Sequence, residues 1–213
     1  MKNATTKTDL LLRTEGRRSG SCSVHRLMFA SSSTILKNKS ADQSLRNAFD
    51  DLAERGYAPM DVTIRQATLS DATALSALVK NLGMFSWMDE EDPQLLRERL
   101  TTHLARCLAD DSHSVFVAQQ DEQIIGYGLV HWLPYLILRG PEGYISELFV
   151  GDESRGAGVG ALLLDEMRRE AIHRGCFRLS LLNRNSRPSY LRNFYPKNGF
   201  VERPDMVNFI LPL

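Results

Sequence analysis

The chain has no apolar run near the ~18 residues that a membrane helix needs, and its longest hydrophobic stretches are strand-length. No membrane partner is expected. It has few cysteines: Cys22, Cys107 and Cys176 are widely spaced, and none stands in a C-x-x-C pair. An odd, scattered set predicts reduced thiols and a cytoplasmic setting. His103, four residues before Cys107, is read as core and not as its catalytic partner. No closely spaced His/Cys/Asp set occurs, so no metal is expected. A P-loop is missing too, because no Lys-Ser or Lys-Thr follows the glycines, which argues against ATP or GTP hydrolysis. The G-x-G-x-x-G spacing of a dinucleotide site is equally absent.

An excess of charge is also lacking, with 26 Lys and Arg against 26 Asp and Glu over 213 residues. The balance hides an asymmetry. Residues 1–59 hold 10 basic and 6 acidic side chains, while 60–213 hold 16 and 20. The larger part is mildly acidic, which argues against nucleic acid as a partner and fits a cationic substrate. The first 40 residues are rich in Ser, Thr, Lys and Arg, with Asp9 and Glu15 as their acids. Residues 1–59 therefore read as a poorly structured basic extension: a disordered tail, a targeting leader, or an upstream extension ahead of Met60. Within it, 44–56 has the spacing of one short amphipathic helix.

What the chain does have is concentrated at 144–160, YISELFVGDESRGAGVG. An apolar strand runs into a turn, then into a loop with glycines at 156, 158 and 160, then directly into a helical pattern. Glycines let backbone approach a ligand closely, and the free N–H groups of a helix start suit a phosphate. Arg155 adds a fixed cation at the lip. Such a loop is a pyrophosphate cradle or an ordinary strand-to-helix connection.

Around it the periodicity predicts a regular domain over 60–213. VTIRQAT (62–68) alternates as a strand, and Ser70 is placed to cap a helix over 71–82 with Ala74, Leu78 and Leu82 as its stripe. Residues 84–92 read as a loop of aromatics and acids. Pro93 then opens a helix to about 109 with Leu96, Leu100, Leu104 and Leu108 inward. SVFVAQQ and IIGYGLVHWL form a hairpin around Asp121-Glu122. After the 144–160 block come a strand at 177–183, a helix at 189–198 and a last strand at about 205–211. If exposed, Val207–Leu211 is placed to pair between two chains in a homodimer. The fold class is α/β (α+β), a mixed sheet with helices on both faces.

Three motifs in order resemble one family. Arg155-Gly-Ala-Gly-Val-Gly160 is similar to the [QR]-x-x-G-x-[GA] coenzyme A signature of the GNAT superfamily of N-acetyltransferases. FRLSLLN (177–183) and SYLRNFYPKNGF (189–200) resemble that family's fifth strand, fourth helix and Tyr-x-x-x-Gly-Phe ending. The resemblance spans about 62–213. It implies a mostly antiparallel sheet in which strands 144–150 and 177–183 run parallel and splay apart, with the pantetheine arm of acetyl-CoA in the gap. Leu148, Phe149 and Val150 would then face the pantetheine. The backbone of Arg155, Gly156, Ala157, Gly158, Val159 and Gly160 would hold the pyrophosphate. Asn183, or Asn185 in its place, would contact the cofactor.

The implied chemistry is attack of a primary amine of a small molecule or peptide on the thioester. An ammonium must lose its proton first, so a base is needed. Glu147 stands in an otherwise apolar strand on the face opposite Leu148 and Val150, and burial would raise its pKa. It reads equally as a structural carboxylate. The oxyanion would take an N–H near Val150. Tyr195 matches the tyrosine that protonates the leaving thiolate in many members, although Pro196 beside it disfavours helical geometry. Phe85, Trp87, Met88 and the acids 89–92 lie where the family covers its acceptor, and they read first as core and helix-start charges. His131-Trp132 reads as packing. Two readings without catalysis share the fold: an acyl-CoA sensor, and an interaction protein acting through its basic tail.

Overall fold

The computed structural model describes residues 61–83 and 86–213. The expectations for 1–59 lie outside these residues. Among the described residues the elements are β1 (Val62–Gln66), α1 (Ala72–Asn81), α2 (Ser86–Glu90), α3 (Pro93–Cys107), β2 (His113–Gln120), β3 (Gln123–Leu133), β4 (Glu142–Val150), α4 (Val159–His173), β5 (Arg178–Leu181), α5 (Pro188–Leu191) and α6 (Phe194–Lys197). The sheet order is β1-β2-β3-β4-β5, with antiparallel neighbours except for the parallel pair β4 and β5. That pair is joined through α4, the crossover that parallel strands require.

The sheet carries helices on both faces. On one, Phe116, Val130, Trp132 and Ile145 pack against Leu163, Leu164 and Met167 of α4. On the other, Val115, Val117 and Tyr127 pack against Leu75, Leu78 and Val79 of α1 and Leu104 of α3. Strand alternation divides the apolar residues at the end of β4 between these cores. Phe149 belongs with α1 and α3, while Leu148 and Val150 belong with α4.

Several local expectations need correction. Helix α1 buries Ala72, Leu75, Leu78 and Val79, a face rotated from the predicted Ala74 stripe, and Ala74 is exposed. The turn before it is capped by Thr68 and Asp71, not by Ser70; the Asp71 carboxylate accepts the Thr68 N–H at 2.7 Å and pairs with Arg65 at 2.8 Å. Residues 86–90 form α2 inside the predicted loop. The helix expected at 189–198 is two short helices, broken where Asn193 takes φ +55°. The last strand expected at 205–211 does not form, and Val207, Phe209, Ile210 and Leu211 are exposed. Its alternation had supplied a strand pattern without a sheet edge to accept it.

Two features of β4 position the site. Leu129 pairs with Glu147 and Val130 with Ile145, so Ser146 is an extra residue, a bulge that bends the strand. Pairing with β5 covers Glu142–Ile145 and ends there. From Ser146 onward β4 has a partner on one side alone.

Candidate active site

The parting of β4 and β5 opens a cleft of about 1420 Å³. Its walls are Ser146–Val150, the loop into α4, the segment after β5, and the two short helices with Tyr190 and Tyr195. Alternate backbone N–H and C=O groups in this half of β4 point away from β3 into the cleft, where a ligand's amides are needed to satisfy them.

The loop at the head of the cleft is shaped by glycine. Gly156 and Gly158 have φ of +87° and +83°, a region in which side chains are strained. Gly158 is the residue before α4, and its carbonyl takes the first helical hydrogen bonds from Ala161 and Leu162. The Val159 and Gly160 amides come before that first bond, at the positive end of a 15-residue helix. At Gly160 a β-carbon would lie 3.1 Å from the Phe194 ring, so a larger residue presses on the opposite wall. Arg155 braces the loop: its Nε donates to the Val150 carbonyl at 3.2 Å and its guanidinium pairs with Asp152 at 2.6 Å. Further cationic charge comes from elsewhere. Arg184, Arg192 and Lys197 line the cleft, and the sequence reading had not singled them out.

Tyr195 lies on the cleft wall, with its ring edge-on to Phe194 and Phe200 at 5.1 and 5.8 Å. Burial pushes its hydroxyl above the usual phenol range, against a smaller opposing pull from Arg187 and Arg192. The hydroxyl therefore stays protonated as a donor across neutral pH. Pro196 does not disrupt this arrangement. It is the third residue of α6, where a first-turn N–H has no helical acceptor to lose. Asn183 lines the cleft with its side-chain amide 3.1 Å from the Ser189 hydroxyl, and Asn185 lines it as an exposed residue.

Glu147 lines the cleft beside the bulge. Its partner is neither backbone nor arginine: the Tyr127 hydroxyl donates to Oε2 at 2.5 Å. Tyr127 is 7% exposed and sits in the core beneath α1 and α3. Burial first, then the Glu147 charge, pushes its ionisation far above the ordinary tyrosine range. Sequence reasoning missed Tyr127, because its relation to Glu147 depends on the β3–β4 register across 20 residues.

Two of the acids before α3, Glu91 and Asp92, have structural work. Asp92 caps α3 by accepting from Gln94 N at 2.7 Å, and Glu91 pairs with Arg99, whose guanidinium lies 4.9 Å from the Trp87 ring. Trp132 is core, with its indole N–H on Ser114 at 3.0 Å. His131 stands between His113 and Tyr144 and touches the Ser146 hydroxyl at 2.8 Å; burial and His113 hold its pKa below the usual value. Cys107 and Cys176 are half-buried free thiols, both pushed up by burial. Among the described residues no metal-binding cluster of His, Cys, Asp and Glu occurs, and no helix is long and apolar enough to cross a membrane.

Comparison with known proteins agrees with this geometry. The sequence model of the Acetyltransferase (GNAT) family matches residues 79–200. The chain is 32% identical to an aminoglycoside N(6')-acetyltransferase type 1 of Stenotrophomonas maltophilia, over 71% of this chain and 94% of that protein. It is 23% identical to the thialysine N-epsilon-acetyltransferase of Mus musculus, over 68% of this chain and 89% of the mouse protein. In fold it resembles an aminoglycoside acetyltransferase from an uncultured soil metagenomic sample, solved with trehalose. That likeness has a TM-score of 0.58 and 19% identity, covering 71% of this chain and 96% of the other. The chain belongs to the GNAT family and is an N-acetyltransferase.

Proposed function

We propose that the protein transfers the acetyl group of acetyl-CoA to a primary amine of a small molecule or peptide by direct attack. The observation that carries this reading is the unpaired half of β4 running up to a glycine loop and a helix start, within one cleft. Backbone of Leu148, Phe149 and Val150 takes the pantetheine amides. The loop from Arg155 to Gly160, with Ala157 and Val159 among its amides, takes the pyrophosphate, and Arg184, Arg192 and Lys197 supply cationic charge. Asn183 borders the same arm.

Glu147, through water, collects the ammonium proton. The neutral amine attacks the thioester carbon, and an N–H of β4 facing the cleft stabilises the oxyanion. Collapse breaks the C–S bond, and Tyr195 gives its proton to the departing thiolate. The nitrogen, cationic after attack, releases its second proton through water, and that proton restores the phenol. The relatives named above act on thialysine and on aminoglycosides, which points to an amine on a flexible or polyhydroxylated small molecule.

We also assign catalysis to residues 60–213, with 1–59 as a dispensable basic extension, and place the enzyme in the cytoplasm. The exposed apolar Val207–Leu211 segment is the surface a second copy would cover in a homodimer. Deletion of 1–59 and the solution mass of the full chain test these two assignments.

The main test is release of the coenzyme A thiol with thialysine, lysine and sisomicin as acceptors. Turnover that needs both acetyl-CoA and one of these amines is expected, falling about 100-fold in kcat for Glu147→Gln. Thiol release at equal rates with and without amine would contradict acetyl transfer to these acceptors.

A further inference from the structure

We propose that Tyr127 is a positioning residue of the reaction: it fixes the Glu147 carboxylate in the orientation that the base requires. The inference deepens the reading above and rests on it. Three observations carry it. Glu147 stands next to the bulged Ser146, at the point where β4 leaves β5 and the cleft begins. Its Oε2 accepts the Tyr127 hydroxyl at 2.5 Å. Tyr127 itself is buried, with its ring 5.7 Å from that of Phe149 and tilted against it, so the hydroxyl has little room to move.

The chemistry of the pair is one-directional. A phenol held far from ionisation donates and does not accept the amine's proton. The bond therefore occupies Oε2. Oε1 is left to receive the proton. A charged partner would hold the glutamate more firmly but would take away its basicity; a neutral hydroxyl orients it and leaves the charge usable. The third group facing this pair is Cys107 of α3, whose thiol is pushed up by burial and by the Glu147 charge, so it stays neutral and does not compete for the proton. A lone glutamate on an apolar strand would have several rotamers; fixing one of them is worth rate, because proton transfer depends on alignment.

The test uses the full chain and reads Glu147 directly. The side-chain carboxyl is followed by carbon-13 NMR in the wild type and in Tyr127→Phe, which keeps the ring and removes the donor. In parallel, kcat and KM are measured with acetyl-CoA and thialysine, with sisomicin as the second acceptor. Loss of the orienting hydrogen bond predicts a displaced Glu147 carboxyl resonance and kcat lower by roughly ten- to a hundredfold, while KM for acetyl-CoA stays within about twofold.

A Glu147→Asp variant, which draws the carboxylate away from an intact Tyr127, should reproduce the rate loss if Tyr127→Phe proves too unstable to assay. An unchanged carboxyl resonance in Tyr127→Phe overturns the proposal. So does a displaced resonance with wild-type kcat, since the bond is then merely structural. If Glu147→Gln turns over at the wild-type rate, the base itself is wrong and both readings fall. If Glu147→Gln is impaired while Tyr127→Phe is not, the base stands and this proposal alone falls.

Discussion

Strand β4 contains two glutamates five residues apart, and they live in different chemistry. Glu142 is buried at 5% exposure, in the half of the strand that pairs on both sides. It takes two bonds from Arg178, at 2.8 and 2.6 Å, and another from the Ser180 hydroxyl. Its charge is consumed in holding β5 to β4, directly across the parallel register. Glu147 lies beyond the bulge, in the half that pairs on one side, and its partner is one neutral hydroxyl. The same residue type is a bolt in one half and, in the proposed mechanism, a reagent in the other. What differs is the partner, and behind the partner the number of neighbouring strands.

The largest stability effect should come from the bolt. Glu142→Ala removes a buried carboxylate that takes bonds from Arg178 and Ser180; Arg178 is 39% exposed and turns to water, so the cost is about 2–3 kcal/mol, to be read from urea unfolding. Glu147→Gln should do the opposite, leaving the urea midpoint within about 0.5 kcal/mol while the rate falls. Next is Tyr195→Phe, expected to lower kcat about 100-fold with KM for acetyl-CoA unchanged; an unchanged kcat would remove Tyr195 from the mechanism.

The smallest effect concerns a third carboxylate of the Glu142 kind. The Arg65 guanidinium, with help from the Thr68 amide, holds Asp71 down to about 2. Its unfolded value is near ~3.9, so its stabilisation is complete above about pH 5 and disappears as the pH falls towards 2. Asp71→Asn should flatten stability across that window and leave acetyl-CoA affinity alone. A variant that keeps the wild-type acid slope would show that other carboxylates carry it.

Most of the site was legible because its signals are local. An apolar strand, glycines and a helix pattern sit side by side in 144–160, and backbone physics reads them without knowing the rest of the chain. Glu147 was legible as an acid out of place in that strand. Tyr127 was not, since it looks like an ordinary β3 aromatic until the register sets it opposite Phe149, within diagonal reach of Glu147 two positions away. The bulge at Ser146 was hidden for the same reason: it is a property of two strands. The tail failed in the other direction. Met206–Leu211 has the apolar content of a strand, but a strand also needs an edge, and sequence pattern carries no information about edges. Asn193 broke a helix whose pattern was otherwise continuous, by taking the left-handed conformation that asparagine tolerates.

The central claim is that the open half of β4 and the loop after it form a coenzyme A cleft. The most direct measurement is thermal unfolding of the full chain with acetyl-CoA, coenzyme A or ATP at equal concentrations. At about 100 times its dissociation constant, a ligand that binds the folded state alone adds about 2.7 kcal/mol. A rise in melting temperature with acetyl-CoA and coenzyme A, and none with ATP, is the predicted result. No rise with either coenzyme, or an equal rise with ATP, would contradict the account.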